Sequence, residues 1–214
     1  INRRAFKLDN VNTLVLDEFD RMLDMGFIND VKKTLQLMKS RKHTLLFSAT
    51  LDRKQEGFIK EILNNPVRVK VSNGETTGDH IDQEVIRINA GEDKFKILTD
   101  LMESQQMDKL LIFEEAKFKV KKLTSMLNNI GIKADEIHGN KTQNARQNAL
   151  NKFKQGKVRV LVATDVAARG LDVSDVTHVI NYQLPMTFDS YIHRIGRTGR
   201  AGKAGKAYTF VDIK

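Results

Sequence analysis

Residues 159–172 read RVLVATDVAARGLD. The run VLVA at 160–163 is apolar and β-branched, has no polar alternation, and is short, which predicts a strand over 159–163 covered on both faces. At Thr164 the character changes within one residue: a hydroxyl, the carboxylate of Asp165, then Arg169, Gly170 and Asp172 follow. A strand buried on both faces that runs into a polar turn and a helical pattern is the unit of a parallel sheet with crossover helices. A plain strand-to-helix turn would need the small residues. It would not need a hydroxyl, two carboxylates and a guanidinium within nine residues.

The same unit recurs in both directions along the chain. Strands are predicted over 12–16, 43–47, 67–71, 84–88, 110–113, 134–137, 178–181 and 207–211, and helices over 27–38, 53–63, 94–102, 118–127 and 144–153. The class is α/β. Between them, residues 72–82 read SNGETTGDHID, rich in turn formers and nearly free of apolar side chains. That composition predicts a linker over 73–82, separating a first domain at 1–72 from a second at 83–214.

The chain has 214 residues, 40% of them hydrophobic, and a formal net charge of +9. Residues 131–214 hold 14 Lys or Arg against 7 Asp or Glu, while 73–130 hold 8 against 11, so the basic character is concentrated at the ends. A basic surface attracts polyphosphates in a salt-dependent way, but charge alone does not choose between RNA, DNA and an acidic membrane. With no cysteine there is neither disulfide nor thiolate metal site, which fits a reducing compartment. No apolar run approaches ~18 residues, so no membrane span is expected. No signal peptide pattern is present, and a chain that begins at Ile1 reads as a fragment of a longer one.

In open parallel sheets, ligands gather at the carboxyl ends of the strands. Asp17, Glu18 and Asp20 follow the first predicted strand; three carboxylates there can hold Mg²⁺ or activate a water, or else merely cap a helix. Ser48, Ala49 and Thr50 end the second strand and are weak alone. Residues 191–200, YIHRIGRTGR, place His193, Arg194, Arg197 and Arg200 close together. On a helix, His193, Arg197 and Arg200 would share a face, with Gly196 and Gly199 leaving room for a phosphate between guanidiniums. The alternative is a solvated basic face, and Lys117, Lys119, Lys121 and Lys122 read as one.

Taken together, LDEFD (16–20), SAT (48–50), HGNKTQNAR (138–146), VATDVAARGLD (162–172) and HRIGRTGR (193–200) resemble, in order and spacing, the DEAD-box ATP-dependent RNA helicases of superfamily 2. The resemblance implies two RecA-like domains, the first incomplete here and the second essentially complete, that close over ATP, Mg²⁺ and single-stranded or locally duplex RNA. It places Asp17 near Mg²⁺ through water, Glu18 on the attacking water, and Asp20 against Ser48 and Thr50. It puts Asp172 on the nucleotide ribose and makes Arg197 and Arg200 arginine fingers. His193 and Arg194 would tie that catalytic loop to the SAT and carboxylate loops. Gln143, Arg146, Thr164, Asp165, Arg169 and Gly170 would follow the RNA backbone, with little sequence preference. A monomer working in the cytoplasm is implied.

The chain also departs from the family. No G-x-x-x-x-G-K-[ST] occurs in it, so the phosphate-cradling loop is missing and ATP turnover by these residues alone is not expected. Phe19 replaces the alanine of the DEAD signature, Glu114 and Glu115 stand where neutral polar residues are usual, and Asn140 replaces a common aspartate. The competing readings are a stand-alone module that binds RNA or a protein without hydrolysis, favoured by the absent loop, and a related DNA helicase. Retention of Glu18, Arg197 and Arg200 favours the enzyme.

Overall fold

The computed structural model describes residues 7–49, 53–70, 80–105, 107–168, 173, 175–199 and 203–213. Thr50, Arg169, Gly170, Asp172 and Arg200 lie outside them. The chain forms two compact units, residues 1–71 and 72–214.

In the first unit β1 (Thr13–Leu16) and β2 (His43–Leu46) pair in parallel, Thr13 opposite His43 and Leu16 opposite Leu46. Three helices accompany them: α1 (Phe19–Asp24), α2 (Ile28–Leu37) and α3 (Arg53–Ile62). Side chains alternate across a strand, so Leu14 and Leu16 join Phe19, Val31, Ile59 and Ile62 in the core while Val15 and Leu45 stay exposed. Of the strand expected over 67–71, the described residues 67–70 have no regular structure, and Val67 and Val69 are 91% and 78% exposed. β-branched residues favour an extended chain, but a strand also needs a neighbour to complete its ladder.

The second unit is built on six parallel strands in the order β3-β8-β7-β4-β6-β5. They are β3 (Ile81–Ile88), β4 (Leu110–Phe113), β5 (Ala134–Ile137), β6 (Val160–Ala163), β7 (His178–Asn181) and β8 (Gly205–Asp212). The helices are α4 (Lys94–Ser104), α5 (Lys117–Asn129), α6 (Gln143–Lys154), α7 (Asp165–Ala168) and α8 (Phe188–Ile195). Leu110, Ile112, Val160 and Val162 pack with Leu98 and Met102 of α4 and Val120, Leu123 and Leu127 of α5. Leu111, Phe113, Leu161 and Ala163 pack on the other face with Ala149 and Phe153 of α6 and Ile195 of α8. LLIF and VLVA lack polar residues because both faces of these strands are covered.

Local chemistry sets where the helices begin. The Asp93 carboxylate accepts the N–H groups of Phe95 and Lys96, Thr142 accepts that of Ala145, and Thr187 accepts that of Ser190. Each such cap contributes about 1 kcal/mol. The linker expectation needs one correction: its last two residues, Ile81 and Asp82, already belong to β3, because Ile81 pairs with Gly205 and is buried.

Candidate functional site

In the first unit, the turn after β1 is held in a costly conformation. Glu18 has φ 50 and ψ 49, the left-handed region, which costs a residue with a Cβ about 1–2 kcal/mol. Its surroundings hold it there. The Phe19 ring is fully buried, its N–H donates to the Phe47 carbonyl at 3.0 Å, and the Phe47 N–H donates to the Leu16 carbonyl at 2.8 Å. The loops after β1 and β2 are therefore laced together. The Asp20 N–H donates to Ser48 Oγ at 3.2 Å, so the two residues expected to meet do meet, here through the main-chain amide of Asp20.

The three carboxylates of this turn do not converge. Asp17 is exposed, with one oxygen accepting the Glu18 N–H at 2.9 Å, whereas Asp20 is buried and accepts the Arg21 N–H at 3.0 Å. Among the described residues no group of three His, Cys, Asp or Glu is placed to hold a metal ion. Asp17, the carboxylate expected near Mg²⁺ through water, is the exposed one of the three. A single carboxylate suits an ion that keeps several waters and takes further oxygens from a nucleotide's phosphates.

In the second unit the carboxyl ends of β5 and β6 come together. The Thr164 N–H donates to the Ile137 carbonyl at 3.3 Å, and the Thr164 carbonyl accepts the N–H groups of Ala167 and Ala168 at 3.0 and 2.9 Å. From α6, Arg146 Nη2 donates to the Ala167 carbonyl at 3.1 Å, and Nη1 lies 3.5 Å from Gln143 Oε1. Gln143, Arg146, Thr164 and Asp165 thereby form one cluster of polar groups, with Gln143 exposed and the other three half-buried.

Arg194 is held inside the second unit. It is 3% exposed; Nε and Nη2 donate to the two Asp165 oxygens at 2.6 and 2.7 Å, and Nη1 donates to Asn181 Oδ1 at 3.2 Å and the Gln183 carbonyl at 2.7 Å. Its guanidinium also lies 5.1 Å from the centre of the Phe113 ring. A guanidinium engaged this fully locks α8 to α7 and β7 inside the second unit, contacts that come in addition to the role expected for Arg194 of tying this loop to those of the first domain. The Asp165 carboxylate is correspondingly committed to Arg194.

The shared helical face expected for His193, Arg197 and Arg200 is also interrupted. α8 ends at Ile195, and Arg197 sits in the following turn with its Nε donating to the His193 carbonyl at 3.3 Å. Two glycines seat that turn. Gly199 has φ +67, and a Cβ there would fall 2.7 Å from Ile81 Cγ1; a Cβ on Gly205 would lie 2.5 Å from the Gly199 nitrogen. Between them the buried Thr198 hydroxyl donates to the Val176 carbonyl at 2.6 Å.

Thr198, Gly205 and Asn181 position the site and escaped the sequence reading. Only Asn181 left a signal, as the polar residue closing the buried strand HVIN; its amide donates to Thr209 Oγ1 at 3.0 Å. Beside the end of β4, burial and then the neighbouring Glu114 carboxylate push the Tyr182 hydroxyl up to about 12. Lys94 bridges this corner, 2.8 Å from Asp212 and over the Tyr182 ring.

Comparison with known proteins joins the two units into one pattern. Residues 1–58 match the DEAD/DEAH box helicase family and residues 93–202 match the helicase conserved C-terminal domain. The chain is 48% identical over 211 residues to the DEAD-box ATP-dependent RNA helicase CshA of Bacillus licheniformis, covering 99% of this chain and 43% of that protein. It is similar to the crystal structure of a DEAD box protein from Methanococcus jannaschii, with 43% identity and a TM-score of 0.60 over 99% of this chain and 56% of the other. It is also similar to S. cerevisiae Dbp5 bound to RNA and ADP BeF3, with 32% identity and a TM-score of 0.84 over 100% of this chain and 56% of the other. The chain thus spans under half the length of the curated relatives it matches.

Proposed function

The chain belongs to the DEAD-box helicase family, and we propose that it forms the later part of the first RecA-like domain, the linker and the second RecA-like domain of an ATP-dependent RNA helicase. Its substrate is single-stranded or locally duplex RNA, which the whole protein opens or strips of bound protein while hydrolysing ATP. The proposed setting is the cytoplasm, with one copy of the chain acting on one strand. The observation that carries the reading is the cluster of Gln143, Arg146, Thr164 and Asp165 at the ends of β5 and β6, tied together by the bond from Arg146 to the Ala167 carbonyl.

In this reading Gln143, Arg146 and Thr164, with Arg169 and Gly170, follow the RNA sugar–phosphate backbone. Contacts to the backbone give affinity without base reading, so sequence preference is slight. Asp165 contributes through Arg194, which fixes the loop that carries it. In the first unit Glu18, at the left-handed position of the turn, takes the proton of the attacking water. Asp17 supplies one carboxylate to water-bridged Mg²⁺, which when bound neutralises phosphate charge. Asp20 couples the β1 and β2 loops through Ser48 and, by the resemblance, Thr50, while Asp172 holds the ribose. Arg197, Arg200 and His193 stabilise the negative charge that develops as the terminal phosphoryl group leaves.

Because the 214 residues hold no G-x-x-x-x-G-K-[ST], the chain alone binds RNA without ATP turnover. The test is titration of a labelled single-stranded RNA at two salt concentrations, with and without ATP and Mg²⁺. Wild-type binding is expected to weaken with salt, and the Arg146→Ala variant to bind at least about fivefold more weakly at equal thermal stability. RNA affinity indifferent to Arg146 would overturn the assignment of this cluster.

A further inference from the structure

Helix α5 carries an aromatic side chain that the fold does not use. Its inner face, Val120, Leu123, Thr124 and Leu127, is buried against the sheet. Phe118 points the other way and is 67% exposed, one helical turn from Lys121 and Lys122. Residues three and four apart share a face, so the ring and the two ammonium groups stand together.

The remaining charges on this helix are accounted for. Lys119 pairs with Glu115 at 3.5 Å, and Lys117 Nζ donates to Asn140 Oδ1 at 3.3 Å. Neither Lys121 nor Lys122 has a hydrogen-bond or ion-pair partner among the described residues. One exposed Phe is ordinary on a protein surface, and a lysine run is ordinary on a helix. A bare ring flanked by unpaired cations on the same turn is a more specific pattern. It matches the chemistry of a single strand of nucleic acid, whose bases stack on aromatic rings while its phosphates seek ammonium groups.

Position strengthens the match. The bond from Lys117 to Asn140 sets the first turn of α5 against the β5–α6 loop, and that loop leads to Gln143 and Arg146. The patch is therefore continuous with the RNA cluster of the second unit. A protein partner would require a wider apolar area than one ring offers.

Resting on the RNA reading above, we propose that the outer face of α5 is a second RNA contact, which receives the strand beyond Gln143 and Arg146. A base stacks on Phe118, and Lys121 and Lys122 take the adjoining phosphates. This makes affinity depend on RNA length and adds to the salt sensitivity of binding without adding sequence preference.

The test compares oligouridylates of about six and about twelve nucleotides, lengths within the span of a single-strand groove. Fluorescence anisotropy is read for the full 214-residue chain, for Phe118→Ala, for Lys121→Glu with Lys122→Glu, and for Arg146→Ala. Wild type should bind the longer RNA more tightly. Phe118→Ala and the lysine pair should erase that gain, roughly five- to tenfold, and leave the shorter RNA unaffected. Arg146→Ala should weaken both lengths. Phe118→Trp serves as a positive readout: its fluorescence should be quenched by the longer RNA only. If wild type binds neither RNA, the RNA reading itself fails. If it binds both and Phe118→Ala keeps the length dependence, this inference alone is overturned, and the patch is left to a protein partner.

Discussion

Replacing Arg194 by methionine removes a guanidinium that is 3% exposed and strands the groups it joined: both Asp165 oxygens, Asn181 Oδ1 and the Gln183 carbonyl. Breaking a buried ion pair from one side typically costs about 3–5 kcal/mol, because the remaining charge is left unpaired. The Asp165 side chain retains 30% exposure, so water recovers part of that loss, and a cost of about 3 kcal/mol at the low end is expected. With a urea dependence of about 2 kcal/mol per M, the unfolding midpoint of the second unit should drop by roughly 1.5 M. Circular dichroism follows the transition. Hydrogen exchange at the amides of β4, β6 and β7 separates it from the unfolding of the first unit. The double variant Arg194→Met with Asp165→Asn should lose about 1–2 kcal/mol less than the two single losses summed, since removing one charge relieves the other. An Arg194→Met midpoint within about 0.3 M of wild type would refute the reasoning. If the ATPase proposed for the whole protein fell all the same, Arg194 would act between the domains, as the resemblance implies.

The other predictions concern single positions. Burial, then the nearby Lys206 and Arg159, depress the His178 imidazole below its usual 6.5 against the opposing pull of Asp108. A depressed histidine favours the neutral form in the fold, so its contribution is intact above that value and is lost as pH falls below it. Melting temperatures between about pH 5 and 8 should therefore fall on the acid side, and His178→Asn should flatten the slope; an unchanged slope excludes His178 as its source. Gly205→Ala forces a Cβ to within 2.5 Å of the Gly199 nitrogen and should cost about 1–3 kcal/mol in urea, with the arginine turn displaced. Wild-type stability in that variant would mean the turn yields freely. At Glu18, with φ 50, Asn should be tolerated within about 0.5 kcal/mol while Val loses about 1–2 kcal/mol, read from the thermal transition of the first unit. Equal stability of the two variants would show that the turn relaxes.

The parts of the fold legible in the sequence were those where one side chain decides one position. VLVA and LLIF are apolar because both faces of β6 and β4 are covered, and a run without alternation says so. Helices α4 and α6 begin within a residue of where they were expected, and Asp93 and Thr142 hold those starts through bonds that span two or three residues. Where pairing decides, the signal thins. Residues 67–71 have strand chemistry without a partner among the described residues, and Ile81 has turn-rich neighbours yet finds Gly205 124 positions away.

The arginine segment shows why the site was only half readable. HRIGRTGR presents its cations at regular spacing, and spacing alone carries one helical face on through Arg197 and Arg200. α8 ends between Arg194 and Arg197, at Ile195. The residue on the helical side is carried inward to an aspartate 29 positions earlier and is consumed there, while the residue beyond Gly196 stays in the turn, partly exposed, held by the carbonyl of His193. Gly199, which read as clearance for a phosphate, thus also seats the turn against β3 and β8. The two arginines thus part where the helix stops, one consumed by buried contacts and the next left in the turn.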